Sequence, residues 1–267
     1  MNISTNLAIS PVAFYIGGTA IFWYGIIIAT SILVAVFVGS WLCKKIGYKD
    51  EIPFEVMLVT VPIGILFARI YYILFSGGDF SNFFDIRGGG IAIFGGIIGA
   101  CLGVWIYSRI KKCGFFAITD ILVICAILAQ SIGRWGNFFN TEVYGLETSF
   151  DLFPLTVVGM SGNSYLALFF YESILNLIGF FVLLQVFSKQ KKIGTTSAVY
   201  LIWYGVVRAI LEPLRSNAFI LSAGILPVSL ITSILAIAIG CVILYLNHKN
   251  KIPQNNESLY KDKSVRG

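Results

Sequence analysis

The chain has 267 residues, of which 57% are hydrophobic and only 12% charged. A soluble domain carries about 25% charged residues, so the composition excludes an ordinary soluble fold and points to a membrane protein. The net charge of +6 does not call for nucleic acid, because the basic residues fall in a pattern set by a membrane.

Residues 1–14, MNISTNLAISPVAF, hold no Lys or Arg. A signal peptide starts basic, so no cleaved segment is expected. Seven apolar spans follow, over 20–43, 53–75, 90–109, 117–133, 165–187, 196–214 and 225–246. Each approaches the ~20 residues that cross ~30 Å of hydrocarbon as a helix. Arg208, Glu212, Pro213 and Arg215 interrupt the end of the sixth. The expected fold is all-α: one membrane-embedded domain over 1–267, with 134–164 as an external excursion and 247–267 as a basic tail. The five cysteines, Cys43, Cys101, Cys113, Cys125 and Cys241, lie in or beside apolar runs without a close pair. They read as small buried hydrophobes, and no metal site is expected. The lone histidine, His248, falls in the tail.

The charges orient the spans. Lys44, Lys45 and Lys49 follow the first, Arg109, Lys111 and Lys112 the third, and Lys189, Lys191 and Lys192 the fifth. The tail adds Lys249, Lys251, Lys261, Lys263 and Arg266. Every second connection is basic, which places those connections in the cytoplasm, the N-terminus outside and the C-terminus inside. No lysine is left for the other side. Arg87, Arg134, Arg208 and Arg215 collect near the outer ends of spans, with Asp79, Asp85, Glu142, Glu147, Asp151 and Glu212 beside them. Arg69 is the exception.

Arginine is the planar five-donor group suited to phosphate and carboxylate forks, and the nearest outer phosphates belong to lipid headgroups. Interfacial anchors or structural ion pairs are the alternative. In VVRAILEPLRSNAF, spacings of four and three put Arg208, Glu212 and Arg215 near one helical face. In GRWGNFFNTEVYG, from Gly133 to Gly145, Arg134 is followed by Asn137, Asn140 and Glu142. Glu142 can neutralise Arg134 or act as a base. In RGGGIAIFGGIIGACLG, Gly88, Gly89 and Gly90 could bring backbone amides to a headgroup. Gly95, Gly99 and Gly103 recur every four residues, as in close membrane-helix packing. Tyr24, Tyr71 and Tyr72 are interfacial anchors or cavity hydroxyls.

These segments together resemble the bacterial prolipoprotein diacylglyceryl transferases. GRWGNFFNTEVYG is similar to that family's signature: Gly-Arg, one variable residue, Gly-Asn-Phe, then Asn, Glu and a closing Gly. FWYG at 22–25, GILFARIYYILF in the second span, YESILN at 171–176 and YGVVRAILEPLR at 204–215 agree in order. Four positions depart from the pattern. Phe94 stands before Gly95-Gly96 where the family has His, Arg87-Gly88 replaces a Trp-Glu, Leu166-Ala167 replaces a His-Pro, and Ala209 replaces a Phe.

The resemblance implies transfer of the diacylglyceryl unit of phosphatidylglycerol to the lipobox cysteine of a preprolipoprotein signal peptide, releasing glycerol 1-phosphate. It implies a site at the outer face of the bacterial cytoplasmic (inner) membrane and needs no cofactor. By this carry-over Arg134 and Arg208 are the essential arginines, with Asn137, Glu142 and Tyr24 around them. Asn140, Gly89, Gly90, Phe94, Gly95, Tyr204, Glu212 and Arg215 would line the substrate site. A transferase with another acceptor and an inactive lipid-binding paralogue stay open. A transporter fits less well, because no internal repeat is present and the polar groups gather at one surface.

Overall fold

The computed structural model describes residues 10–76, 83–84, 90, 92–159, 162–216, 222–223 and 226–261. Asp79, Asp85, Arg87, Gly88 and Gly89 lie outside the described residues. A short antiparallel hairpin, β1 (Val12–Ile16) and β2 (Thr19–Phe22), comes first. Its turn residues Gly17 and Gly18 both have positive φ, as two-residue hairpins favour. The helices are α1 (Trp23–Ile46), α2 (Ile52–Ser76), α3 (Ile93–Ile110), α4 (Phe115–Gly133), α5 (Trp135–Phe139), α6 (Leu168–Lys189), α7 (Thr195–Leu211) and α8 (Val228–His248). Two further two-stranded hairpins are β3 (Thr156–Val158) with β4 (Ser164–Leu166), and β5 (Ser222–Ala223) with β6 (Leu226–Pro227).

Seven helical segments are long and apolar enough to cross a membrane, and they match the seven expected spans. Boundaries differ where the sequence changes character. The fourth span runs from Phe115 to Phe139, because α4 continues through Arg134 into α5. The excursion therefore begins as helix. The first, fifth and seventh spans start a few residues late, since 19–22, 164–166 and 226–227 are extended. Large apolar side chains such as Leu33, Phe37, Ile97, Phe181 and Val242 are exposed. Lipid hydrocarbon makes this cheap, as water would not.

The chain divides into two compact units, residues 36–122 with 253–267, and residues 1–35 with 123–252. In the former, α2 packs on α3 through the expected glycine ladder. A Cβ on Gly99 would lie 2.6 Å from the Ile63 carbonyl, and one on Gly103 would lie 2.9 Å from Thr60 Cα. Small residues let the two backbones approach. Within the same unit residues 255–261 dock on the neighbouring segments. Lys49 N–H donates to the Leu259 carbonyl (2.8 Å), Lys261 N–H to Gly47 (3.1 Å) and Gly114 N–H to Asn255 (2.7 Å). Leu259 is buried and Tyr260 packs edge-on against Tyr48. The charge count of this segment hid the apolar pair that fastens it.

In the other unit α7 packs on α8, again through glycines. A Cβ on Gly205 would lie 2.6 Å from the Ser233 carbonyl, and one on Gly240 would lie 2.8 Å from that of Ala198. Two buried serines lock α4 to α6. Ser131 Oγ donates to the Ser173 carbonyl and Ser173 Oγ donates to the Ser131 carbonyl, each at 2.8 Å. Such reciprocal bonds leave no buried hydroxyl proton unsatisfied. They fix the helix turn that carries Arg134 against the one that carries Glu172.

Candidate active site

All the charged groups of the site lie in the unit of residues 1–35 and 123–252. Its centre is Glu172, a carboxylate on α6 whose side chain is 5% exposed. Its Oε1 accepts from Arg208 Nη1 at 2.6 Å, and its Oε2 pairs with Arg134 Nε. One carboxylate therefore holds both expected arginines. Arg208 Nη2 also reaches Glu212 Oε2 at 3.3 Å, and Arg215 Nη1 lies 3.9 Å from the same oxygen. Three arginines face two carboxylates, which leaves one positive charge in a mostly buried cluster. Burial, then repulsion from Arg208, lowers the Arg215 pKa from the ordinary arginine range. The Nε of Arg215 and the Oε1 of Glu212 are buried with no hydrogen-bond partner among the described residues. A buried donor without a partner is costly, and an anion would supply one.

The motif 133–145 builds the other half. Arg134 lies where α4 runs into α5, its N–H still bonded to the Gln130 carbonyl. Arg134 Nη1 donates to Asn137 Oδ1 at 3.4 Å. Asn137 Nδ2 in turn donates to Glu142 Oε1 at 3.0 Å, and Asn140 Nδ2 to the same oxygen at 3.2 Å. Glu142 thus reaches Arg134 through Asn137, and the direct neutralising partner is Glu172 instead. Thr141 and Val143, on either side of Glu142, both have φ above +50°. For a β-branched residue this backbone is strained by roughly 1–3 kcal/mol and persists only where its surroundings impose it. Here Glu142 N–H donates to the Asn137 carbonyl and Thr141 N–H to Phe138, each at 3.1 Å. The turn spends strain on aiming Glu142.

Two glycines of the motif act through close approach. A Cβ on Gly136 would lie 2.6 Å from Tyr24 Cδ2, so Gly136 seats the Tyr24 ring, while Trp23 stacks on Phe139 with centroids 5.1 Å apart. A Cβ on Gly145 would lie 2.7 Å from the Leu214 carbonyl. Gly145 forms a β-bridge with Arg215, and the neighbouring Leu146 N–H donates to Leu214 at 2.9 Å. The end of the motif and the end of the sixth span are joined backbone to backbone.

The remaining expected site residues divide. Tyr204 lies one turn before Arg208 on α7 and stacks on Tyr200. Gly90, Phe94 and Gly95 belong to the unit of residues 36–122. There the Gly90 carbonyl accepts from buried Arg69 (Nη1, 3.0 Å). Phe94 lies near Tyr71, with ring centroids 6.2 Å apart, and Gly95 is buried against α2. Gly89 is outside the described residues. Glu172 has no role in the sequence reading beyond the Tyr-Glu match. The available signal is its charge inside an apolar span, which demands a partner.

Comparison with known proteins identifies the family. The model of a family described as prolipoprotein diacylglyceryl transferase matches residues 11–246. The phosphatidylglycerol--prolipoprotein diacylglyceryl transferase of Clostridium kluyveri is 36% identical over 252 residues, covering 90% of this chain and 98% of the relative. The enzyme of that name from Listeria monocytogenes serotype 4b is 35% identical over 265 residues, covering 94% and 95%. That from Clostridioides difficile is 35% identical over 246 residues, covering 90% and 96%. With the motif, the seven spans and the arginine cluster in place, the chain belongs to the prolipoprotein diacylglyceryl transferase family.

Proposed function

We propose that this multi-pass membrane protein transfers the diacylglyceryl group of phosphatidylglycerol to the cysteine thiol of a prolipoprotein signal peptide. In that reaction the sulfur bonds to the glyceryl carbon as the bond from that carbon to the phosphate oxygen breaks. The thiol proton goes to a base, and glycerol 1-phosphate leaves. The phosphate gains negative charge as it departs, and preorganised donors in a dry site stabilise that change. The observation that carries the reading is the Glu172-bridged pair of Arg134 and Arg208, with Arg215 undercompensated beside them.

Glu142 is the base in this scheme. Both asparagine amides engage its Oε1, so Oε2 serves for the thiol proton, directly or through a water. The arginine field also favours the thiolate, because nearby cations lower a thiol's pKa. Neither histidine of the family pattern is needed for these steps. The alternating basic connections support an external N-terminus, a cytoplasmic C-terminus and a site at the outer face of the bacterial cytoplasmic membrane. The test is to incubate the purified protein with phosphatidylglycerol and a cysteine peptide carrying a lipobox. The peptide is expected to gain one diacylglyceryl group on sulfur, with release of glycerol phosphate. Bound lipid with an unchanged peptide would instead favour a paralogue that binds without transferring.

A further inference from the structure

A cavity of about 320 Å³ opens where α3 ends and α4 begins, in the unit of residues 36–122 with 253–267. That volume falls within the roughly 300–1,000 Å³ of small-molecule sites. Trp105 and Arg109 of α3, Phe115 and Phe116 of α4, and Pro253 and Asn255 of the segment after α8 wall it. The last wall is fastened in place. Gly114 N–H donates to the Asn255 carbonyl at 2.7 Å, and Asn255 Nδ2 donates to the Lys112 carbonyl at 3.0 Å. The docked segment, which the transfer chemistry leaves without a task, completes this cavity.

The charged residue of the wall is Arg109. Among the described residues it makes no ion pair or side-chain hydrogen bond, and it lies over the Trp105 ring, 5.3 Å from the centroid. Its neighbour Lys111 is compensated by Glu55 at 2.8 Å. An uncompensated guanidinium offers a fork to a phosphodiester. Trp105 adds an indole N–H and, one turn deeper in the span, an apolar ring.

The same pairing recurs on other spans. Lys45 lies 5.1 Å from the centroid of Trp41 near the end of α1, and Lys249 lies 6.0 Å from that of Tyr245 just past α8. In each case an exposed aromatic precedes the cation by four residues. Aromatic rings gather at headgroup depth and cations snorkel to its watery side. All three pairs sit at ends that the basic connections assign to the cytoplasm. The cavity therefore opens at the depth of lipid phosphates.

We infer that this cavity binds the headgroup of an anionic phospholipid of the cytoplasmic leaflet, with Arg109 on the phosphate and Trp105 against the glyceryl and upper acyl region. A zwitterionic headgroup brings its own cation and gains less from Arg109. A soluble phosphate ester brings no chain for the aromatic wall. The site goes beyond the transferase reading and needs no part of it; its leaflet follows from the topology.

The test is photolabelling of the full-length protein in phosphatidylcholine nanodiscs that contain a small fraction of phosphatidylglycerol with a diazirine near the head of one chain. Labelled residues are mapped by mass spectrometry. Labelling within 105–116 and 253–255 is expected about fivefold above that from phosphatidylcholine carrying the same diazirine. Arg109→Gln should remove the difference, because one basic residue at an anionic surface contributes ~1 kcal/mol, about fivefold. Arg109→Lys should keep most of it. Arg109 is exposed, so all three proteins should melt at the same temperature. Excess soluble glycerol 1-phosphate should not compete. Equal labelling by the two lipids, an unchanged difference in Arg109→Gln, or competition by glycerol 1-phosphate would overturn the headgroup site. Transfer to the lipobox peptide is a separate readout. Its absence with this labelling intact would overturn the transferase reading alone, and transfer without this labelling would overturn the site alone.

Discussion

Glu172 on α6 and Arg208 on α7 meet at 2.6 Å, with side chains 5% and 12% exposed. A buried ion pair is seldom a net gain in stability over apolar packing, so its presence asks for another reason. The other oxygen of Glu172 answers: it holds Arg134, from the motif on the neighbouring span. The carboxylate sets the separation and orientation of two guanidinium forks before any lipid arrives.

Glu172 is therefore a positioning residue, and its two simplest variants should separate. Glu172→Ala leaves two largely buried arginines short of a partner and should cost about 3–5 kcal/mol of stability, read as a large fall in melting temperature. Glu172→Gln keeps the shape and one acceptor oxygen. It should fold, bind phosphatidylglycerol with an unchanged KM, and lose roughly a hundredfold in kcat through misplacement of the forks. An unchanged kcat in a folded Glu172→Gln protein would reduce the bridge to a structural pair.

Gly136 tests whether Tyr24 belongs to the site. In Gly136→Ala the new methyl must displace the Tyr24 ring. Tyr24 is 40% exposed, so the ring can swing out and stability should fall by no more than about 1 kcal/mol, at the low end for overpacking. Transfer should fall about tenfold or more. If Tyr24 is the route, Gly136→Ala combined with Tyr24→Phe should be no slower than the slower single variant, a non-additivity expected of residues that act together. Additive losses would assign Gly136 some other task.

Phe94 stands where the family pattern has histidine, and the proposed chemistry runs without one. Phe94→His should leave transfer intact or raise it. Complete loss in a folded protein would mean that a histidine at this position is incompatible with the reaction, and the carry-over of roles by motif would fail with it.

Topology offers an independent check. A reporter fused after Arg266 should read cytoplasmic, and one inserted near Ser149 should read external. The opposite result at either position would move the arginine cluster to the wrong face for a secreted acceptor.

The sequence carries the spans and the two arginines plainly, for physical reasons. Apolar length is a one-dimensional property, so all seven spans can be read, and the repeat at Gly95, Gly99 and Gly103 marks the contact of α3 with α2. What it hides is pairing. Glu142 is eight residues from Arg134 and reads as its partner, yet the turn at Thr141 and Val143 aims it at the amides of Asn137 and Asn140. The actual partner, Glu172, lies on another helix, and the Ser131–Ser173 lock that brings it there leaves no periodic trace. The basic tail hides a contact in the same way: its lysines mark its charge, while Leu259 and Tyr260 dock residues 259–261 against residues 47–49.

The claim that Arg134 and Arg208 form a fork for the leaving phosphate is tested most directly by replacing each with lysine. Lysine keeps the charge and loses the bidentate geometry. Transfer and phosphatidylglycerol binding are measured on the same preparations. Loss of one well-placed transition-state donor costs roughly 3–4 kcal/mol, about a hundred- to a thousandfold in rate. Arg134→Lys and Arg208→Lys should each show that fall in transfer while still binding lipid. Full transfer activity in both variants would contradict the account and leave the arginines as structural ion pairs.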